Sequence, residues 1–280
     1  MSAALPPNGS RIALVLGGGG PVGISWMTGL ALTLREAGID LGLADRIVGT
    51  SAGAVVGSVL AGDGDLARLV APRSDGAAPI NFDLVRFGEI LGILATPGVS
   101  PAEARRLAGV RVTELAVEDP EVHLGRIRPL VGTSEWSDRD LLVTTIDIGT
   151  GELRAWSRAD GVPLDVAVTA STAVPGIFPA IPIQGREYFD GGMRSPINAD
   201  LAAGFDLVVI IEPLANVFPR IPEDGELGGA ATISVVPDAE MVAAVGVDFF
   251  SPHLLEPAYE AGVRQAAEVA VQLKELWPTR

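Results

Sequence analysis

"IVGTSAGAVVGSVLAG", residues 47–62, decides how this chain is read: a short apolar run enters a turn of small residues and leaves it as a small-residue helix. Ser51 stands in that turn with Gly49 and Gly53 two residues to either side. A strand that passes into a helix through Gly-x-Ser-x-Gly is the pattern of a nucleophile elbow. The spacing has a physical reason. A serine on so sharp a turn takes strained backbone angles, and a side chain two positions away would meet the neighbouring strand or helix. The turn also sets the hydroxyl at a helix N-terminus, where backbone N–H groups favour developing negative charge. In a chain of 34 glycines the same five residues also arise as an ordinary tight turn, so the flanking sequence has to decide.

Working outward, residues 11–16 ("RIALVL") form an apolar run suited to a buried strand, followed at once by "GGGGPVG", residues 17–23. Apolar residues then recur at helical spacing over residues 24–37, with Gly38 as the stop. A strand at residues 46–49 and the helix after Ser51 complete strand, helix, strand, helix in fewer than 65 residues, which predicts a parallel α/β sheet. Further along, residues 141–148 and 152–156 read as a strand pair around "GTG", and 163–172 as a helix. Residues 188–192 end a strand in a turn, 207–211 form a buried strand, and 256–276 a closing helix. Residues 63–139 break the rhythm and form a variable insertion. Within it "FDLVRFGEILGIL" places Leu84, Phe87, Leu91 and Leu94 on one helical face, suited to core, to a dimer surface or to a substrate lid. The first ten residues read as a loose tail. No repeat or linker divides the chain, so residues 1–280 are expected to form one domain.

Composition narrows the function classes. Hydrophobic residues make up 48% of the 280 and charged residues 20%, a globular balance. The formal net charge is −15 and Lys274 is the only lysine, which argues against nucleic-acid binding and against electrostatic docking on anionic lipid. An apolar patch could still make transient contact with a membrane surface. With no cysteine there are no disulfides, no thiolate metal sites and no cysteine nucleophile, and a reducing, cytoplasmic setting fits. The opening residues lack a charged stretch followed by an apolar one, so no signal peptide is expected. Residues 166–183 carry no charge, but Pro175, Pro179 and Pro182 make them a poor spanning helix. The chain therefore reads as soluble. Two histidines distant in sequence and scattered carboxylates give no metal-ligand cluster, and no cofactor is expected.

The glycine turn has two readings. Gly18, Gly20 and Gly23 satisfy the Gly-x-Gly-x-x-Gly spacing of a dinucleotide-binding turn. Such a site wants an acidic residue at the end of the second strand, and here that strand ends in Val48-Gly49-Thr50-Ser51. Alternatively, consecutive glycines present backbone N–H groups as an oxyanion hole on the strand next to Ser51. A serine also needs a base. Ser51, an aspartate and His253 would follow the chain order of an α/β-hydrolase triad, yet His253 lies in the Pro-bounded "FFSPHLLEP", and His123 in "DPEVHLG" has no orienting neighbour. Among five Asp-Gly pairs, Asp190 differs because it ends the apolar segment "EYFDGG"; Asp75, beside Arg73 and Ser74, is its rival.

Taken together, "LVLGGGGPVG", "GTSAG", "ASTAVPGIFP" and "DGG" resemble, in order and spacing, the blocks of the patatin-like phospholipase family over residues 12–192. The resemblance implies a three-layer α/β/α fold with a mainly parallel central sheet and hydrolysis of acyl esters of lipids by a Ser-Asp dyad without histidine. It assigns Ser51 as nucleophile, Asp190 as base, and Gly18, Gly19 and Gly20 as oxyanion donors. Transfer of the acyl group to an acceptor other than water would share the same acyl-enzyme. Two positions depart from the family pattern. Gly17 stands where Ser or Asp is common, and Val22 where Arg or Lys is usual; the missing positive charge predicts weaker oxyanion stabilisation or weaker contact with an anionic headgroup. An ordinary aspartate, with a pKa near ~4, is a weak base for a serine hydroxyl. Burial would raise that value and nearby helix N-termini would lower it.

Overall fold

The computed structural model describes residues 10–62, 64–71, 80, 83–115 and 118–278. All of the expected tail but Ser10 lies outside them, as does Asp75. The central strands are uninterrupted apolar runs because both faces of the sheet are covered: every residue of β1 (Ile12–Leu16) is buried. β2 (Arg46–Gly49) and β3 (Asp140–Asp147) follow β1 in parallel on one side. On the other side lie β7 (Leu207–Ile211) and β8 (Ala231–Val235), also parallel. Antiparallel additions gather at β3: β4 (Leu153–Trp156) forms the expected hairpin, and β6 (Arg186–Asp190) pairs with both β3 and β5 (Ile181–Ile183).

Alternation along the strands sends side chains into two cores. Leu14, Leu16, Ile47, Val143, Val209 and Ile211 face one core, which also holds apolar residues of α1 (Gly20–Glu36), α2 (Ala52–Ala61), α6 (Leu164–Ser171) and α8 (Leu255–Leu273). Ala13, Val15, Val48, Val208 and Ile210 face the other, against Ile197, Ala199, Ala202 and Leu227. Further along that second face Ile146 and Phe189 pack with Ile90 of α3 (Leu84–Leu94) and with Ala108 and Val112 of α4 (Pro101–Leu115). The three-layer α/β/α arrangement with a mainly parallel sheet is the fold of this chain. α2 lies deepest; all ten of its residues are buried, which is why its sequence carries no charge. Each of its fully buried Val and Leu side chains contributes about 1.5–3 kcal/mol.

α1 begins four residues earlier than its apolar spacing suggests, within the glycine run, because Pro21 in the first turn needs no partner for an N–H it lacks. Within the variable region, two described helices are tied to the rest of the fold. Arg105 on α4 donates to the Gly151 carbonyl at 2.6 Å, and Arg128 on α5 (Pro120–Val131) pairs with Asp165 of α6 at 2.8 Å. α3 is the exception. Its buried side is centred on Ile90, with Ile93 and Leu94 packed beside it; Leu94 of the expected face thus takes part, whereas Leu84 at the start of the helix is 63% exposed. α7 (Ala239–Val245) precedes the closing helix. Among the described residues no helix is long and apolar enough to cross a membrane.

Strand pairing at β3 positions the site. β4 occupies one edge of β3 from Val143 to Ile146. β2 takes the opposite edge as far as Val143, where Gly49 pairs, and β6 takes the same edge from Thr145 onward, where Asp190 pairs. The C-terminal ends of β2 and β6 therefore meet head to head.

Candidate active site

Ser51 leaves β2 with φ 54° and ψ −117°, a backbone conformation that a non-glycine residue holds only when its surroundings enforce it. The enforcement is visible at the flanking glycines. A Cβ on Gly49 would come within 2.6 Å of Ala54 Cα, and one on Gly53 would run into the Leu16 carbonyl. The elbow thus packs between its own helix and β1, as the Gly-x-Ser-x-Gly spacing predicts. Ser51 occupies the N-cap position of α2, yet its hydroxyl makes no capping bond. Its backbone N–H is held by Ser171 Oγ at 2.9 Å.

Asp190 closes β6 and is 2% exposed. Its carboxylate accepts the Gly192 N–H at 2.7 Å, and the nearby Ser51 hydroxyl favours its charged form. Burial pushes its pKa up to about 7, while Ser51 and the Gly192 N–H pull against that rise without cancelling it. Desolvation therefore outweighs these two opposing effects.

The glycine turn lies beside Ser51: a Cβ on Gly18 would sit 3.5 Å from that of Ser51. Its N–H groups are not equivalent. Gly18 donates to the Pro196 carbonyl at 2.8 Å, so its N–H is engaged in this structure. The N–H groups of Gly19 and Gly20 have no hydrogen-bond partner among the described residues, and neither has that of Ala52, which follows the elbow serine. Val22 is buried in the core, with its N–H on the Phe249 carbonyl at 3.2 Å.

Neither histidine joins this group. His123 is buried on α5, stacked on Phe178 with ring centroids 4.0 Å apart, and its Nε2 lies 3.0 Å from Thr172 Oγ1. Burial, with Arg126 nearby, lowers its pKa to about 3. His253 is exposed on a short turn before α8. Sequence reasoning missed the supporting shell. Thr50 Oγ1 and Thr144 Oγ1 are 2.8 Å apart, and the Asn198 side-chain amide reaches Thr50 Oγ1 at 3.1 Å and the Gly191 carbonyl at 3.3 Å. No motif marks Asn198 in "SPINAD"; its one signal is a residue type that tolerates a left-handed backbone, which it adopts with φ 51°.

The profile of the patatin-like phospholipase family matches residues 14–203, from the first strand through both candidate turns. Two uncharacterized NTE family proteins, from Mycobacterium tuberculosis and Mycobacterium bovis, are 32% identical over 218 residues, which is 73% of this chain and 52% of each relative. The chain thus spans about half the length of the curated relatives it matches. Among solved structures, VipD from Legionella pneumophila aligns with a TM-score of 0.48 and 14% identity over 96% of this chain and 68% of that one. The type III effector protein ExoU aligns with a TM-score of 0.40 and 17% identity over 98% and 54%. With its profile match covering more than half of the sequence and both glycine-marked turns, this chain belongs to the patatin-like phospholipase family.

Proposed function

We propose that this chain is a serine acyl hydrolase that cleaves carboxylic esters of lipids through a Ser51–Asp190 dyad. The observation that carries the reading is the pairing of a strained, uncapped serine hydroxyl with a buried carboxylate whose pKa is raised to about 7. A base with a pKa near working pH combines a useful fraction in the basic form with real proton affinity. Ser51 Oγ attacks the ester carbonyl carbon as Asp190 takes its proton. The tetrahedral oxyanion is received by the N–H groups of Gly19 and Gly20, with Ala52 as the third donor. Collapse expels the alcohol, which leaves with the proton from Asp190. Water, deprotonated by Asp190, then attacks the acyl-serine; collapse breaks the ester bond to Ser51 and frees the acid as Asp190 returns the proton to Ser51 Oγ.

One feature weighs against the dinucleotide alternative: the second strand ends in the elbow rather than in an acidic residue. The net charge of −15 favours neutral lipids and short soluble esters over anionic phospholipids as substrates. The deciding experiment is labelling with a fluorophosphonate followed by peptide mass spectrometry. An adduct on Ser51 that is lost in Asp190→Asn supports the dyad; a folded wild type left unlabelled would refute it.

A further inference from the structure

We propose that Asn198 is the positioning residue of this site, a buried amide that holds the Ser51 turn and the Asp190 turn in register with each other. This role rests on the dyad reading above.

Asn198 is fully buried, and its side chain stands between residues adjacent to the two candidate catalytic groups: Thr50, next to Ser51, and Gly191, next to Asp190. The orientation of the amide follows from its partners. Arg194 Nη1 can only donate, and it lies 2.9 Å from Oδ1, which fixes that atom as the oxygen. The NH2 group then faces Ser195 O at 2.8 Å, Thr50 Oγ1 at 3.1 Å and Gly191 O at 3.3 Å, so its hydrogens are shared among three acceptors.

The donated bond gives the neighbouring hydroxyls a direction. Thr50 Oγ1 accepts from Asn198 and so turns its own hydrogen toward Thr144 Oγ1 at 2.8 Å; Thr144 in turn reaches the Gly49 carbonyl at 3.4 Å. The chain runs from Asn198 through Thr50 and Thr144 to the end of β2 and spans the junction where β2 and β6 meet on β3. No backbone ladder bond joins those two strand ends, because each pairs with β3 and not with the other. Beyond their shared pairing with β3, Asn198 adds a direct link between the residues that follow the two strand ends, Thr50 and Gly191.

The residue type is constrained twice. The backbone at φ 51°, ψ 47° is left-handed, which favours Gly, Asn or Asp. Of these only Asn offers donors on one side and an acceptor for Arg194 on the other. The anchor is itself held: Arg194 forms a two-pronged ion pair with Asp200 at 2.9 Å on each oxygen, and the Asn198 backbone N–H is bound by Ser195 Oγ at 3.0 Å.

The test uses Asn198→Asp, which keeps the backbone preference and removes the donors, the near-isosteric Thr50→Val, which removes the acceptor, and their combination. Purified folded protein is assayed on a soluble neutral ester, with the fluorophosphonate labelling rate at Ser51 measured in parallel. A displacement on the order of 1 Å between reacting groups lowers turnover about 100-fold, so each single variant is expected to lose about 10- to 100-fold in kcat with KM within about threefold. The double variant is expected to be no worse than the poorer single one, because both cut the same strut. If Asn198→Asp does not fold, Thr50→Val carries the test. A folded Thr50→Val with wild-type kcat and labelling rate, or losses that multiply in the double variant, would overturn the role even where the melting temperature falls. An unlabelled wild type would instead overturn the dyad itself, and this role with it.

Discussion

Gly49 and Asp190 stand two register positions apart on one edge of β3, opposite Val143 and Thr145 respectively. This one relationship explains how a serine near residue 50 and an aspartate near residue 190 come into contact. Two strands running toward each other along a shared neighbour deliver their C-terminal residues to the same point. The elbow then lifts Ser51 off β2 while Asp190 remains the last residue of β6.

Asp190→Asn is expected to lower kcat by about 100- to 10,000-fold, the span a positioned general base supplies. The amide keeps the shape of the carboxylate and an oxygen for the Gly192 N–H, and it removes a buried charge. Thermal unfolding above pH 7 should therefore show a variant at least as stable as wild type. A large drop in melting temperature would mean that the carboxylate is structural instead.

Turnover should follow the ionisation of the same group. In the proposed dyad Asp190 would serve as base only as the carboxylate, and its pKa is about 7, so kcat/KM for a neutral ester is expected to rise with unit slope below about pH 7 and to level off above it. A profile already flat from pH 5 upward would place the base elsewhere.

Gly53→Ala should fail at both levels at once. The new methyl would meet the Leu16 carbonyl, which belongs to rigid β1 backbone and cannot turn aside as a side chain would. Overpacking of this kind costs about 1–3 kcal/mol or more, and relief requires the elbow to move. The expected result is a lowered denaturation midpoint together with loss of fluorophosphonate labelling at Ser51. Normal labelling would show that the elbow tolerates a Cβ there.

The sheet and both turns could be read from sequence because they rest on local signals: unbroken apolar strands, glycines at fixed offsets, and an aspartate ending an apolar run. β8 was missed because "ATISV" is an alternating strand with every second residue buried, too short to stand out. α4 was missed because Arg105, Arg106 and Arg111 make it polar to the eye, whereas Arg105 is in fact buried on the Gly151 carbonyl. The engagement of Gly18 N–H with Pro196 and the Asn198 bridge are contacts between segments about 180 and 150 residues apart in sequence, which no local pattern encodes. The raised pKa of Asp190 is of the same kind. It follows from complete burial, a property of the assembled fold rather than of "EYFDGG".

Asp190 and His123 should tilt the dependence of stability on pH in opposite directions. Asp190 has a folded pKa of about 7, raised from 3.8, so its contribution to stability is fully present below about pH 4 and is lost as pH rises toward 7. His123 has a folded pKa of about 3, lowered from 6.5, so its contribution is fully present above pH 6.5 and is lost as pH falls toward 3. Between pH 4 and 6.5 the two slopes, each at most about 1.4 kcal/mol per pH unit, oppose one another in the wild type. Removing one should expose the other. Asp190→Asn is expected to gain stability more steeply with rising pH across this window than wild type does. His123→Phe, which also replaces the unpartnered Nδ1, should lose stability with rising pH relative to wild type and keep kcat/KM within about threefold. Denaturant unfolding at half-unit pH intervals checks both slopes. Parallel curves for all three proteins would mean that neither group titrates as its burial requires, and a large loss of turnover in His123→Phe would return a histidine to the mechanism.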